Sequence, residues 1–230
     1  MAELDLPRGP RELLEAVRHP LGYHLGGEHH LVLGGGTALA ARWAHRHSTD
    51  VDLAVDHDIH HRLPASGFRD DLARHIDGRA YLTIHQGLTR IDLPAGEVTI
   101  DSSYPATSHP HSADTVRGTR IGVHTSAEIL ARKLVYRVLG ESVFLSRDLY
   151  DLAVARHQDP AALKTAFDTV HASNLLVIQR GLNELDQVSI VHDSRPLRHP
   201  AHSDEAADFL AIVQRLVERE IDQRIPRRTR

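Results

Sequence analysis

Apolar and polar positions follow mixed periods up to about residue 124 and a helical period afterwards. Residues 9–24 carry an amphipathic helical pattern. "HHLVLG" (29–34) then reads as a buried strand, "TALAARWAHR" (37–46) as a helix and "DVDLAV" (50–55) as a second strand. Phe68, Leu72 and Ile76 recur every fourth residue and predict another helix. "RAYLTIHQ", "LTRIDL" and "EVTIDSS" alternate as strands do, and the turn-like "PAGE" joins the last two. Beyond residue 124, "TSAE" (Thr125 to Glu128) is a capping-box signature opening the helix "ILARKLVYRVLG". Further helices fit "RDLYDLAVARH", "PAALKTAFDTVHA" and "SDEAADFLAIVQRLVEREIDQR". Mixed elements followed by helices alone predict an α+β protein of two domains, 1–124 and 125–230.

Composition narrows the chemistry. The 230 residues suffice for a hydrophobic core, and the absence of Cys removes disulfides and thiolate catalysis. The start of the chain is acidic and amphipathic, and no apolar run reaches membrane-span length. A soluble, cytoplasmic protein without a membrane partner is the expectation. A net charge of -4 argues against a generally basic nucleic-acid coat, though not against a local groove or the basic tail "RIPRRTR" (224–230). The 19 histidines are scattered and form no pair of the H-E-x-x-H kind, so they read as compositional bias.

The densest chemistry lies in "LGGGTALAARWAHRHSTDVDLAVD" (33–56). Asp50 and Asp52, two apart on a strand, would project side by side. Adjacent carboxylates repel unless a cation lies between them, and hard oxygen donors suit Mg²⁺ or Mn²⁺. The glycines before the helix expose backbone N–H groups at its positive end, a seat for phosphate. Each piece alone has a plainer reading. Three glycines make a tight turn, and a lone D-x-D is common in solvated loops, as in "DHD" (56–58). In this order they match what nucleoside triphosphate chemistry needs, and the P-loop signature is absent.

A glycine pair, a helix of about a dozen residues and Asp-apolar-Asp-apolar together resemble the nucleotidyltransferase superfold that includes DNA polymerase beta. The stretch further resembles the first motif of the AbiEii/AbiGii-type nucleotidyltransferase toxins. "GVHTSAEILARKLVYR" and "SRDLYDLAVA" resemble that family's second block, a Lys-bearing helix followed by Arg-Asp-x-x-Asp. The resemblance covers residues 30–155. It implies a nucleotidyltransferase-like mixed sheet with flanking helices, and an all-helical C-terminal domain contributing to the substrate cleft. It also implies transfer of a nucleotide from an NTP, in some members to the acceptor end of tRNA, as the toxin of a toxin–antitoxin or abortive-infection pair. By the same resemblance, Asp50 and Asp52 bind the divalent metal, Gly35 and Gly36 lie under the triphosphate, and Arg46 and Ser48 are phosphate contacts. The third acid falls on a later strand at Asp101, with Asp92 as rival and Glu97 behind it.

Lys133 is one of two lysines among 27 basic residues. A compact ammonium suits a triphosphate, and the resemblance favours that role over a solvated helix residue. Asp148 and Asp151, three apart, share one helical face. Asp148 reads as functional, paired with Lys133 or Arg147. Asp151 serves equally well as helix N-terminal charge, worth about 0.3–1 kcal/mol. Trp43, Tyr136 and Tyr150 read as packing, Arg42 as facing substrate or water, and Arg132, Arg137 and Arg147 as an RNA track or as solubilising charge. The expected partners are an NTP, RNA and a cognate antitoxin. Transfer to a protein or small molecule, and a non-catalytic nucleotide- or antitoxin-binding module, are the alternatives.

Overall fold

Alternation along three neighbouring strands separates an apolar face from a polar one. Val51, Leu53, Ile91, Val98 and Ile100 are buried on one side, while Asp52, Arg90, Asp92, Glu97, Thr99 and Asp101 share the other. The computed structural model describes residues 2–65, 67–76, 80–85, 87–185 and 196–225. The chain divides into two compact units, Met1–Tyr104 with His111–His124, and Pro105–Pro110 with Thr125–Arg230.

The first unit holds the sheet, ordered β1-β7-β8-β2-β3-β6-β5-β4. Its strands are β1 (Glu3–Leu4), β2 (Val32–Leu33), β3 (Val51–Ala54), β4 (Tyr81–His85), β5 (Leu88–Leu93), β6 (Gly96–Asp101), β7 (His111–Val116) and β8 (Gly122–His124). β1–β7, β2–β8 and β3–β6 run parallel, and the remaining pairs antiparallel. This is the expected mixed sheet with flanking helices. Helix α1 (Arg8–Leu25) lays Leu13, Leu14, Val17, Leu21 and Leu25 inward and packs on β3 and β6. Each such side chain contributes about 1.5–3 kcal/mol on burial. Then follow α2 (Gly35–Trp43), the single turns α3 (His57–His60) and α4 (Arg62–Ala65), and α5 (Phe68–His75).

Three departures from the sequence reading have local causes. The His-rich start of "HHLVLG" is a 3-10 turn (Glu28–His30), so only Val32–Leu33 enter the sheet. "TALAARWAHR" stops at Trp43, where Ala44 turns left-handed at φ 50°. β7 and β8 are too polar and too short to show an alternation. Gln86 and Arg79 of the β4 segment lie outside the described residues.

In the second unit, α6 (Ser126–Arg132) continues into a π-helical stretch (Lys133–Gly140), followed by α7 (Ser146–Gln158), α8 (Pro160–Asp168), α9 (Ala172–Glu184) and α10 (Ser203–Arg224). The capping box forms by half. The Thr125 hydroxyl accepts from the Glu128 N–H, but the Thr125 N–H donates to Pro110 C=O. The Glu128 carboxylate instead accepts from the N–H groups of Ala106 and Thr107, the Thr107 hydroxyl and Arg132. Burial pushes Glu128 up, and these donors together hold it below its ordinary value. Of the basic tail, Arg224 closes α10 by donating to Phe167 and Val170 C=O and pairing with Asp168 and Glu220; residues 226–230 lie outside the described set. Among the described residues no helix is long and apolar enough to cross a membrane.

Candidate active site

The glycine run serves close approach, position by position. An added Cβ would lie 2.9 Å from His124 Nδ1 at Gly34, 1.9 Å from Asp52 Oδ2 at Gly35 and 2.0 Å from an Arg46 guanidinium nitrogen at Gly36. Gly35 also sits at φ +58°, in the left-handed region. The structure therefore brings Gly35, Gly36, Arg46 and Asp52 together at the first turn of α2. Gly34 N–H donates to Asp52 C=O at 2.8 Å, tying that turn to β3. The Asp52 carboxylate is half-buried and has no hydrogen bond or ion pair among the described residues. The donors of the turn and the positive end of α2 lie beside it.

Asp50 is placed differently. The ladder with β6 begins at Val51↔Val98, so Asp50 stands just before it. Its carbonyl accepts from the Thr37 hydroxyl, which also lies 2.7 Å from Ser48 Oγ. Thr37 and Ser48 are buried, and so is Arg46, whose guanidinium donates to His47 C=O. Arg42 is partly exposed, hydrogen-bonds Ser112 and approaches Asp114 on β7. Trp43 packs edge-on against His45, in keeping with a packing role.

The three candidates for the third acid share the polar face but not their surroundings. Asp92 and Glu97 both bind Arg90, at 2.8 Å each, and Glu97 also accepts from Thr99. Asp101 pairs with Ala54, two residues beyond Asp52, and accepts from the N–H and hydroxyl of Ser103. Burial lowers the pKa of nearby His60, which the Asp101 charge partly opposes. Among the described residues no three His, Asp or Glu side chains converge closely enough to hold a metal ion, so Asp50, Asp52 and Asp101 are not brought together as a trio. The sequence reading missed Thr37 and Arg90. A threonine in the first turn of the motif helix, and an arginine two residues before Asp92, were their signals.

Lys133, Asp148 and Asp151 meet inside the helical unit. Lys133 bonds Asp148 and lies 3.1 Å from Asp151, and Arg137 approaches Asp148 at 3.3 Å. All three central residues are buried, so Lys133 is not a solvated helix residue. Asp148 takes Arg137, not Arg147, as its second cation, and Asp151 is an ion-pair partner rather than a surface charge. Burial raises the Asp148 pKa, and Lys133 with Arg137 outweigh it, leaving the carboxyl below its ordinary value. Lys133 stands where α6 widens to i→i+5 hydrogen bonding, a feature that recurs at functional sites. Arg132 pairs with Glu128 and lies over Tyr136, so two arginines of the expected RNA track are bound internally. Tyr150 is fully buried and its hydroxyl accepts from His202 N–H.

A glycine turn against Asp52 in a mixed sheet is the arrangement that the resemblance to the nucleotidyltransferases implies. The family model described as "Nucleotidyl transferase AbiEii toxin, Type IV TA system" matches residues 23–226, and the chain belongs to that family. Two solved structures share its fold, a candidate nucleotidyltransferase from H. pylori and JHP933 from Helicobacter pylori. Each is 17% identical with a TM-score of 0.51 and covers 93% of this chain; 95% and 92% of those chains are covered in turn. No curated protein matches significantly. The protein is a nucleotidyltransferase of a toxin family that acts in type IV toxin–antitoxin systems.

Proposed function

We propose that the chain moves a nucleotide from an NTP onto RNA, with the acceptor end of tRNA as target, and acts in the cytoplasm as a toxin restrained by a cognate antitoxin. The observation that carries the transfer chemistry is the half-buried Asp52 carboxylate against side-chain-free Gly35 at the start of α2. Asp50 and Asp52 supply hard oxygen donors, and side-chain-free Gly35 lets the Asp52 carboxylate lie against the first turn of α2, so these residues fit Mg²⁺ or Mn²⁺. Such an ion, when bound, neutralises charge on the attacking hydroxyl and the departing pyrophosphate. Asp101 is assigned as the third ligand: it shares the polar face with Asp52 while Asp92 and Glu97 are bound to Arg90, and to reach the ion its carboxylate would have to leave Ser103 and turn toward the pair. The amides of Gly35 and Gly36 and the Arg46 guanidinium hold and orient the triphosphate. For Lys133, which Asp148 and Asp151 hold inside the helical unit, triphosphate recognition is the role that the family resemblance implies.

In the reaction the acceptor hydroxyl oxygen bonds to the α-phosphorus, the bond to pyrophosphate breaks, and a carboxylate of the set takes the hydroxyl proton. The protein's part is positioning and charge stabilisation. The test is incubation with total RNA, each labelled NTP in turn, and Mg²⁺ or Mn²⁺. A labelled band of tRNA size with one NTP supports the proposal. Label in protein or a small molecule would favour the second reading, which the internal pairing of Arg132 and Arg137 supports. No transfer to any acceptor would favour a binding module.

A further inference from the structure

The two metal-site aspartates are fixed by unlike means. Asp52 lies in the ladder, opposite Thr99 and bonded through its carbonyl to Gly34. Asp50 lies outside it, and the Thr37 hydroxyl holds its carbonyl. A threonine hydroxyl has one proton, and a carbonyl oxygen can only accept. With that proton on Asp50, the 2.7 Å contact between Thr37 Oγ1 and Ser48 Oγ requires Ser48 to be the donor. The chain of bonds therefore runs Ser48 O–H to Thr37 O–H to Asp50 C=O. A serine with its proton so committed offers a ligand only lone pairs, which a phosphate oxyanion repels.

We infer that Thr37 and Ser48 are positioning residues that lock Asp50 to the first turn of α2, and that Ser48 is not a phosphate contact. The inference rests on the proposed metal role of Asp50. It corrects the role that family resemblance suggests for Ser48, and it couples metal ligand to phosphate seat. Thr37 is fully buried in the helix whose N-terminus holds Gly35 and Gly36, so movement of that turn moves Asp50 with it.

Four variants test this: Thr37→Val, which keeps shape but loses the donor, Thr37→Ser, which keeps the donor, Ser48→Ala and Asp50→Ala. Three quantities are read: hydrogen exchange of the amides at 49–51, Mn²⁺ affinity without NTP, and kcat against KM for NTP. Thr37→Val should speed exchange about tenfold or more and weaken Mn²⁺ binding roughly 10-fold, in line with the loss of groups that orient metal ligands. It should lower kcat with KM within about twofold, a pattern for a positioning role. Thr37→Ser should restore all three. Ser48→Ala should leave KM within about twofold, with a modest loss of kcat, because Thr37 keeps its bond to Asp50.

Unchanged exchange in Thr37→Val overturns the lock. So does a rise of about tenfold in KM for Ser48→Ala with Mn²⁺ affinity intact, since that marks a phosphate contact. If Asp50→Ala binds Mn²⁺ like the wild type, the metal reading fails, and the exchange measurement still decides the lock by itself.

Discussion

The acidic groups of the sheet unit and those of the helical unit are held in opposite ways. The Asp52 carboxylate lies against the Gly35 backbone, and Asp50 is steadied through its carbonyl by the neutral Thr37 hydroxyl. Asp148 and Asp151 are buried and bound to Lys133, with Arg137 added. Neutral scaffolding leaves the Asp52 charge to attract a ligand. Internal pairing makes the helical cluster part of what holds its unit together. Substitution should therefore separate activity from stability in one unit and join them in the other.

In order of their effect on stability, Lys133→Ala comes first. It leaves the buried Asp148 and Asp151 carboxylates without the ammonium they share, and removal of one partner from such a buried pair costs about 3–5 kcal/mol. Chemical denaturation should show that loss and transfer should fall with it; Lys133→Arg should recover part of each. A wild-type melt with lost transfer would make Lys133 a ligand contact and nothing more. Gly35→Ala comes next, because φ +58° and the Asp52 carboxylate both oppose a methyl group. A destabilisation of about 1–3 kcal/mol is expected, with Mn²⁺ binding lost. Equal Mn²⁺ affinity in this variant would detach the turn from the metal site.

Proton linkage gives the third effect. Glu128 has a folded pKa below its unfolded value, so its contribution is complete above the ordinary value of 4.5 and is lost as pH falls through the lowered one. Melting curves between about pH 3 and 7 should show wild type losing its advantage over Glu128→Gln toward the acid end. Parallel curves would mean that Glu128 contributes nothing that depends on its charge. The smallest stability effect belongs to Asp52→Ala, which should melt within about 0.5 kcal/mol of wild type, or above it, while transfer is abolished. Near-wild-type turnover would end the metal-site proposal. Asp101→Asn against Asp92→Asn then identifies the third ligand by the larger loss of turnover.

The meeting of the glycine turn with Asp52 was legible because both lie in one short stretch with a clear period. The glycines serve close approach, Gly35 with left-handed backbone, and Asp52 falls within a strand, so sequence order and spatial order coincide there. Asp50 shows where this ends. Alternation places it beside Asp52, yet it falls outside the ladder and depends on Thr37, a contact between residues 13 apart. In the helical unit, Lys133 with Arg137 and Asp148 with Asp151 are basic and acidic pairs spaced by one turn. Each pair could equally be a solvated face, and only packing shows that they neutralise each other. Helix α9 and strands β7 and β8 carry weak periods, and besides pairing with each other β7 and β8 are held by β1 and β2, distant in sequence.

Glu128 reaches back across the chain to Ala106 and Thr107, and this bears on how the protein can be cut and recombined. Because Pro105–Pro110 packs with Thr125–Arg230, the polypeptide passes from one unit to the other three times. Neither unit is a continuous cassette. A fragment beginning at residue 125 would lack the amides that satisfy a buried carboxylate, and a swap of helical halves between relatives would have to carry six residues from inside the other half. The toxin is modular in space but not along its gene, so its two halves should be inherited together.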